Sequence, residues 1–151
     1  MALRLEYRDI APGAVKALAG LNTYSARCSI SQRLRRLIET RVSQINDCNY
    51  CIATHWQQCL DLGETAERME NLATWRDSSL FTPAERAALA WTGSVTLIAE
   101  RRAPDPEYAD LQVHFSEIEI VDLTFVTLSM NAWNRLAIAF RREVGDIGAA
   151  E

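Results

Sequence analysis

No run of apolar residues in this chain of 151 is long enough to cross a bilayer as a helix, so a helical membrane protein is not expected. The opening stretch, residues 1–9, carries charges throughout and has no apolar h-region, which argues against a secretory leader and makes the cytoplasm the expected compartment. Neither Asn-Gly nor Asp-Gly occurs, so the strongest hairpin-turn signals are missing, and no repeat of solenoid period is evident. A formal net charge of −4 gives no basic footprint for nucleic acid. Arg33, Arg35 and Arg36 do cluster, but they alternate with apolar neighbours and share their segment with Glu39, which reads as a solvated helix face. Four cysteines in a reducing compartment do not make a disulfide framework, so a close pair among them points to catalysis or metal binding.

What the chain does have is enough apolar residues, 48%, to bury one core, and its length fits a single domain over residues 1–151. Helix punctuation runs through most of it. After a short extended start, Pro12-Gly13 leads into a helix over residues 14–26, and residues 30–45 carry a stripe of Leu34, Leu37, Ile38, Val42 and Ile45. A helix over residues 48–62 stops at Gly63, a natural residue just past a helix end. Thr65 can cap a helix through Met69, Leu72 and Trp75. Thr82-Pro83-Ala84-Glu85 is a capping box with proline at the first helical position, opening a helix to about residue 100. Asp105-Pro106 starts a shorter one, and Ser116-Glu117-Ile118-Glu119 is a second capping box opening the longest helix, to about residue 142. The middle of that helix is apolar nearly all round, which predicts the central helix of the bundle. The fold expected is all-α, with about six or seven helices.

One stretch carries chemistry. Cys48-Asn49-Tyr50-Cys51, followed by His55, places two thiols at a helix start and an imidazole one turn on. If Asp47 is the cap, Cys48 lies in the first turn, where orphan N–H groups and the helix dipole favour a thiolate. Cys51 and His55 share a face, so the imidazole can exchange protons with that sulfur. The dipole thus favours Cys48 as the nucleophile and the histidine favours Cys51. Structural zinc from Cys48, Cys51, His55 and Cys59 is excluded on one straight helix, where Cys48 and Cys59 would stand about 16 Å apart; a site with three such ligands completed by His114 or a distant carboxylate stays open. Attached haem needs histidine directly after the second cysteine, where Ile52 stands. Cys28 and Cys59 lack any such context and read as small buried hydrophobes. Tyr50, Trp56 and Trp133 read first as core or subunit packing and second as pocket walls, and Asn131 and Asn134, in an apolar helix, each need a buried partner or a subunit contact.

At these residues the chain resembles the carboxymuconolactone decarboxylase-like superfamily, in its alkylhydroperoxidase AhpD-like branch. The likeness lies in Arg41-Val42-Ser43-Gln44-Ile45-Asn46, Cys48-Asn49-Tyr50-Cys51 with His55, Gly63-Glu64, Trp75-Arg76, Phe81-Thr82, Glu85 to Ala90, and Asn131-Ala132-Trp133-Asn134-Arg135, over a core of about residues 30–142. It implies an AhpD-like helical bundle, a homo-oligomer of three or six copies, and a thiol-dependent peroxidase with no cofactor. It further implies that Cys51 attacks a hydroperoxide and that Cys48 closes the disulfide. His55 would relay protons, and an external dithiol, such as a lipoyl group on a partner protein, would be the reductant. The branch usually carries a glutamate on the preceding helix where this chain has Arg36; Glu39, one turn later, is the candidate replacement. Tyr50 stands where the namesake enzyme has histidine. A helical redox-sensor or metal-binding oligomer and a dithiol–disulfide exchange protein remain the alternatives.

Overall fold

A computed structural model describes residues 2–144. Among these residues the regular elements are all helical: α1 (Tyr7–Ile10), α2 (Pro12–Ser25), α3 (Gln32–Ile45), α4 (Asn49–Asp61), α5 (Ala66–Glu70), a 3₁₀ turn (Trp75–Asp77), α6 (Pro83–Thr96), α7 (Ile98–Arg101), α8 (Asp105–His114) and α9 (Glu117–Phe140). Six of the helices are ten residues or longer, and of the three short ones α1 and α7 were not separately foreseen. The expected extended start is one of these: Glu6 caps α1 by accepting from the Arg8 N–H.

α3 and α4 form an antiparallel pair, α3 also packs on α6 and α9, and α2 lies along α9. Ser31 starts α3 by accepting from the Leu34 N–H. Ile38 and Val42 of α3 are fully enclosed and cluster with Leu123, Val126 and Met130 of α9, while Leu37, equally enclosed, clusters with Cys59, Met69, Leu72 and Leu89; each such large apolar side chain contributes about 1.5–3 kcal/mol of burial. Both capping boxes form at Thr82 and Ser116, with Glu85 and Glu119 reaching back to the cap N–H, and Thr65 caps α5.

Two helices end sooner than their apolar spacing predicts. α5 stops at Glu70, because Arg86 donates to the carbonyls of Trp75, Arg76 and Ser78 and holds that stretch as a separate tight turn. α6 stops at Thr96, where Leu97 leaves helical geometry; Arg102 and Ala103 then adopt left-handed backbone ahead of Pro104, and Arg101 closes a polar network with Ser94 and Glu107.

α9 touches α2, α3, α4, α6 and α8, as a central helix should, yet it is not enclosed: Ile118, Val121, Phe125 and Leu128 stand 42–55% exposed along one side. The asparagines do find partners. Asn46, at the end of α3, donates to Asn131 Oδ1 at 3.0 Å and Asn134 Oδ1 at 2.9 Å, while Asn134 donates to Ser43 Oγ and Asn131 to Thr96 Oγ1. This amide cluster fastens the turn before the cysteine pair to the middle of α9. No helix among the described residues is long and apolar enough to cross a membrane.

Candidate active site

The turn between α3 and α4 sets the site. Asp47 is left-handed, with φ of 55°, so it is not the helix cap expected of it; Cys48 is, with its carbonyl accepting from the Ile52 N–H at 2.8 Å and its own N–H returned to Ser43. That shifts the frame by one residue. Cys51 becomes the third residue of α4, inside the first turn, so the helix dipole acts on both sulfurs. Cys48 and Cys51 are joined as a disulfide with Cα atoms 5.3 Å apart, and both residues are buried.

Each cysteine borders a different opening. Cys48 lines an open cleft of about 600 Å³ with Asn49, Tyr50, Arg141 and Arg142. Cys51 lines a narrow one of about 20 Å³ with His55, Tyr50, Met130 and Trp133, bordered also by Tyr7 and Arg8. His55 Nδ1 lies 2.9 Å from Gln58 Oε1 and 3.5 Å from Glu39 Oε2. A carboxylate can only accept, so the neutral ring carries its proton on Nδ1 and keeps its lone pair on Nε2.

Glu39 is itself held. Arg36 donates to its Oε2 at 2.7 Å, and Arg35 Nε approaches Oε1 at 3.3 Å without hydrogen-bond alignment. The solvated basic face expected of α3 is therefore wrong for two of its three arginines: Arg35 is buried, Arg36 is mostly so, and only Arg33 is solvent-facing, where it pairs with Glu64. Burial pulls the Arg35 guanidinium below its usual range despite the opposing pull of Glu39.

The four residues singled out in the sequence thus lie on two adjacent helices, with Glu39 meeting His55 and His55 bordering the cleft of Cys51. Tyr50 and Trp133 line the clefts; Trp56 packs instead against the Met69, Leu72 and Trp75 cluster, away from them. Three neighbours escaped sequence reasoning. Gln58 had a signal, its three-residue spacing from His55. Tyr7 and Arg142 had none, since they arrive from opposite ends of the chain, where the Arg142 guanidinium lies 5.6 Å from the Tyr7 ring and 5.7 Å from that of Tyr50 while pairing with Glu6.

The remaining cysteines stand apart. Cys59 is fully enclosed against Thr40, and burial pushes its thiol up to about 11; Cys28 donates to the Ser25 carbonyl. Among the described residues no group of three or more His, Cys, Asp or Glu is arranged to hold a metal ion.

A helical bundle holding a cysteine pair at a helix start, backed by an imidazole and a carboxylate, is an AhpD-like fold. Residues 12–93 match the carboxymuconolactone decarboxylase family, and the chain belongs to that family, in its AhpD-like branch. An uncharacterized protein of Bacillus subtilis strain 168, YdfG, is 37% identical over 92% of this chain and 95% of its own length. A crystal structure from Agrobacterium tumefaciens, of a protein of unknown function proposed to be the antioxidant defence protein AhpD, superposes with a TM-score of 0.92 at 35% identity, covering 99% of this chain and 100% of that one. The debrominase Bmp8 shares the fold, with a TM-score of 0.81 at 18% identity over 90% of this chain and 73% of its own. Proteins of this fold therefore do not all perform one reaction.

Proposed function

We propose that the protein is a thiol-dependent peroxidase working through a Cys48/Cys51 dithiol–disulfide cycle. The observation that carries this reading is the joined pair at the head of α4 with His55 in the cleft of Cys51 alone. The dipole acts on both sulfurs and the imidazole on one, so Cys51 is the nucleophile. In the reduced protein its thiolate attacks the terminal oxygen of a hydroperoxide, the O–O bond breaks, and the departing alkoxide takes a proton through His55 to leave as an alcohol. Cys51 is then a sulfenic acid. The Cys48 sulfur displaces its hydroxyl as water, forming the disulfide, and an external dithiol such as a lipoyl group reduces it by exchange. Glu39, through its contact with His55 Nδ1, orients the ring and stabilises its charged form.

The same reading includes assembly of several copies, three or six, through α9. Ile118, Val121, Phe125 and Leu128 repeat at spacings of three, four and three, the seam of a helix that packs against another helix, and among the described residues they stay 42–55% exposed, with the Tyr24 ring at the edge of Phe125. The occupant proposed is a second copy of the chain.

Intact mass before and after one equivalent of peroxide, on reduced protein, tests the cycle. The expected result is loss of two hydrogens mapped to the peptide holding Cys48 and Cys51, and retention of a sulfenic acid at Cys51 in Cys48→Ser. Peroxide consumption by Cys51→Ser at the parent rate would refute it. Dithiol–disulfide exchange without peroxide is the second reading, favoured by the open cleft that Cys48 borders; exchange with a model disulfide in the absence of peroxide would single it out.

A further inference from the structure

A separate cavity of about 280 Å³ lies behind His55, between α2, α3, α4 and α9. Its charged lining is Arg35, Arg36 and Glu39, two cations against one anion. Arg35 is 6% exposed, and its Nε pairs with Glu39 Oε1 at 3.3 Å without forming a hydrogen bond; among the described residues, the bond from Arg36 to Glu39 is the only hydrogen bond that the two guanidiniums make, so one carboxylate serves both. A buried guanidinium presents five donors in a planar fork and gains most from a second carboxylate or similar oxyanion. Two buried cations that share one carboxylate gain from a second anion placed between them.

Away from the guanidiniums the lining is mixed, with Asn22, Thr23 and Ser129 polar and Met130 and Trp133 apolar. The same two apolar residues, with His55, border the narrow cleft of Cys51. The two spaces thus meet at one set of side chains, with guanidiniums at one end and the sulfur at the other.

We propose that this cavity is a subsite for the carboxylate of the substrate, held by Arg35 and Arg36, and that the substrate class is an organic hydroperoxide bearing a carboxylate on a short apolar stem. The stem lies along Met130 and Trp133 and aims the peroxide at Cys51. This rests on the peroxidase reading for its reactive half but not for its anion-binding half, and the two are separable.

Calorimetry with 4-isopropylbenzoate, which carries the carboxylate and stem without a peroxide, tests the subsite on the disulfide form, with 4-isopropylbenzamide as the neutral control. Saturable one-to-one binding of the benzoate is expected, weakened at least tenfold in Arg35→Gln and in Arg36→Gln, with the benzamide binding no better than the benzoate does to the variants. Far-UV circular dichroism of the variants checks that the helices remain, and the less buried Arg36 gives a second chance should Arg35→Gln not fold. No saturable binding to the parent protein, or binding unchanged in both variants, overturns the subsite. The reduced protein is then given cumene hydroperoxide and its para-carboxy derivative. A kcat/KM ratio of at least tenfold favouring the carboxylate, falling towards one in Arg35→Gln, supports the substrate class; equal use of the two overturns it. Arginine-dependent benzoate binding with turnover of neither peroxide would leave the anion site standing and sink the peroxidase reading alone.

Discussion

Removal of the Glu39 carboxylate should be among the most damaging single changes in the protein, for a reason unrelated to catalysis. Glu39 is 8% exposed and offsets Arg35, which is 6% exposed, and Arg36, whose guanidinium sits 2.7 Å away. Glu39→Ala leaves two adjacent cations with no counter-charge, one of them enclosed. Breaking a buried pair in this way costs about 3–5 kcal/mol, a large part of the 5–15 kcal/mol that a typical domain has in total. The cost comes from the stranded charge, so it should shrink when a cation is removed too: in an Arg35→Leu background the same change should cost about 1–3 kcal/mol less. Urea unfolding followed by circular dichroism at pH 7, on the disulfide form of all four proteins, reads both numbers, provided the slope with denaturant is unchanged. A loss under about 1 kcal/mol for Glu39→Ala, or the same loss in both backgrounds, would mean that the triad is solvated and that the reasoning is wrong.

Cys59 gives a pH-dependent counterpart. Its folded thiol titrates near 11, above the ordinary cysteine value, so the stability it confers is whole below about pH 8.5 and is lost as pH rises towards 11; the advantage of the parent over Cys59→Ala should therefore narrow across that window in alkaline unfolding curves, and a constant difference would count against it. Iodoacetamide at pH 8 should label Cys48 and Cys51 in the reduced native protein and spare Cys59 until it is unfolded. Phe125→Asp, in the middle of the exposed α9 seam, should lower the mass measured by light scattering to that of one chain while leaving the helix content intact; an unchanged mass would remove α9 as the contact.

The parts of the fold legible in the sequence are those decided within a few residues. Thr65, Thr82 and Ser116 cap where their side chains predict, and Gly63 takes the positive φ of 86° that ends α4, because capping is a contest between neighbouring donors and acceptors. The misplaced helix ends at Glu70 and Thr96 depend on Arg86, Arg101 and Glu107, which arrive from elsewhere in the fold. In the site, the neighbourhood of Cys48, Cys51 and His55 was readable as spacing on one helix. The burial of Arg35 was readable too, had spacing outweighed residue type: Arg35, Ile38, Glu39 and Val42 recur on one face, and the structure turns that whole face inward. Tyr7 and Arg142 could not be placed, since no local pattern links the two ends of a chain.

Cys48 and Cys51 border separate openings on either side of one covalent bond. An oxidant reaching one sulfur and a reductant reaching the other need not queue for a common doorway, so under the proposed cycle neither should inhibit competitively against its counterpart. The traffic would run one way through the wall of the protein, with the bond between the sulfurs as its turnstile.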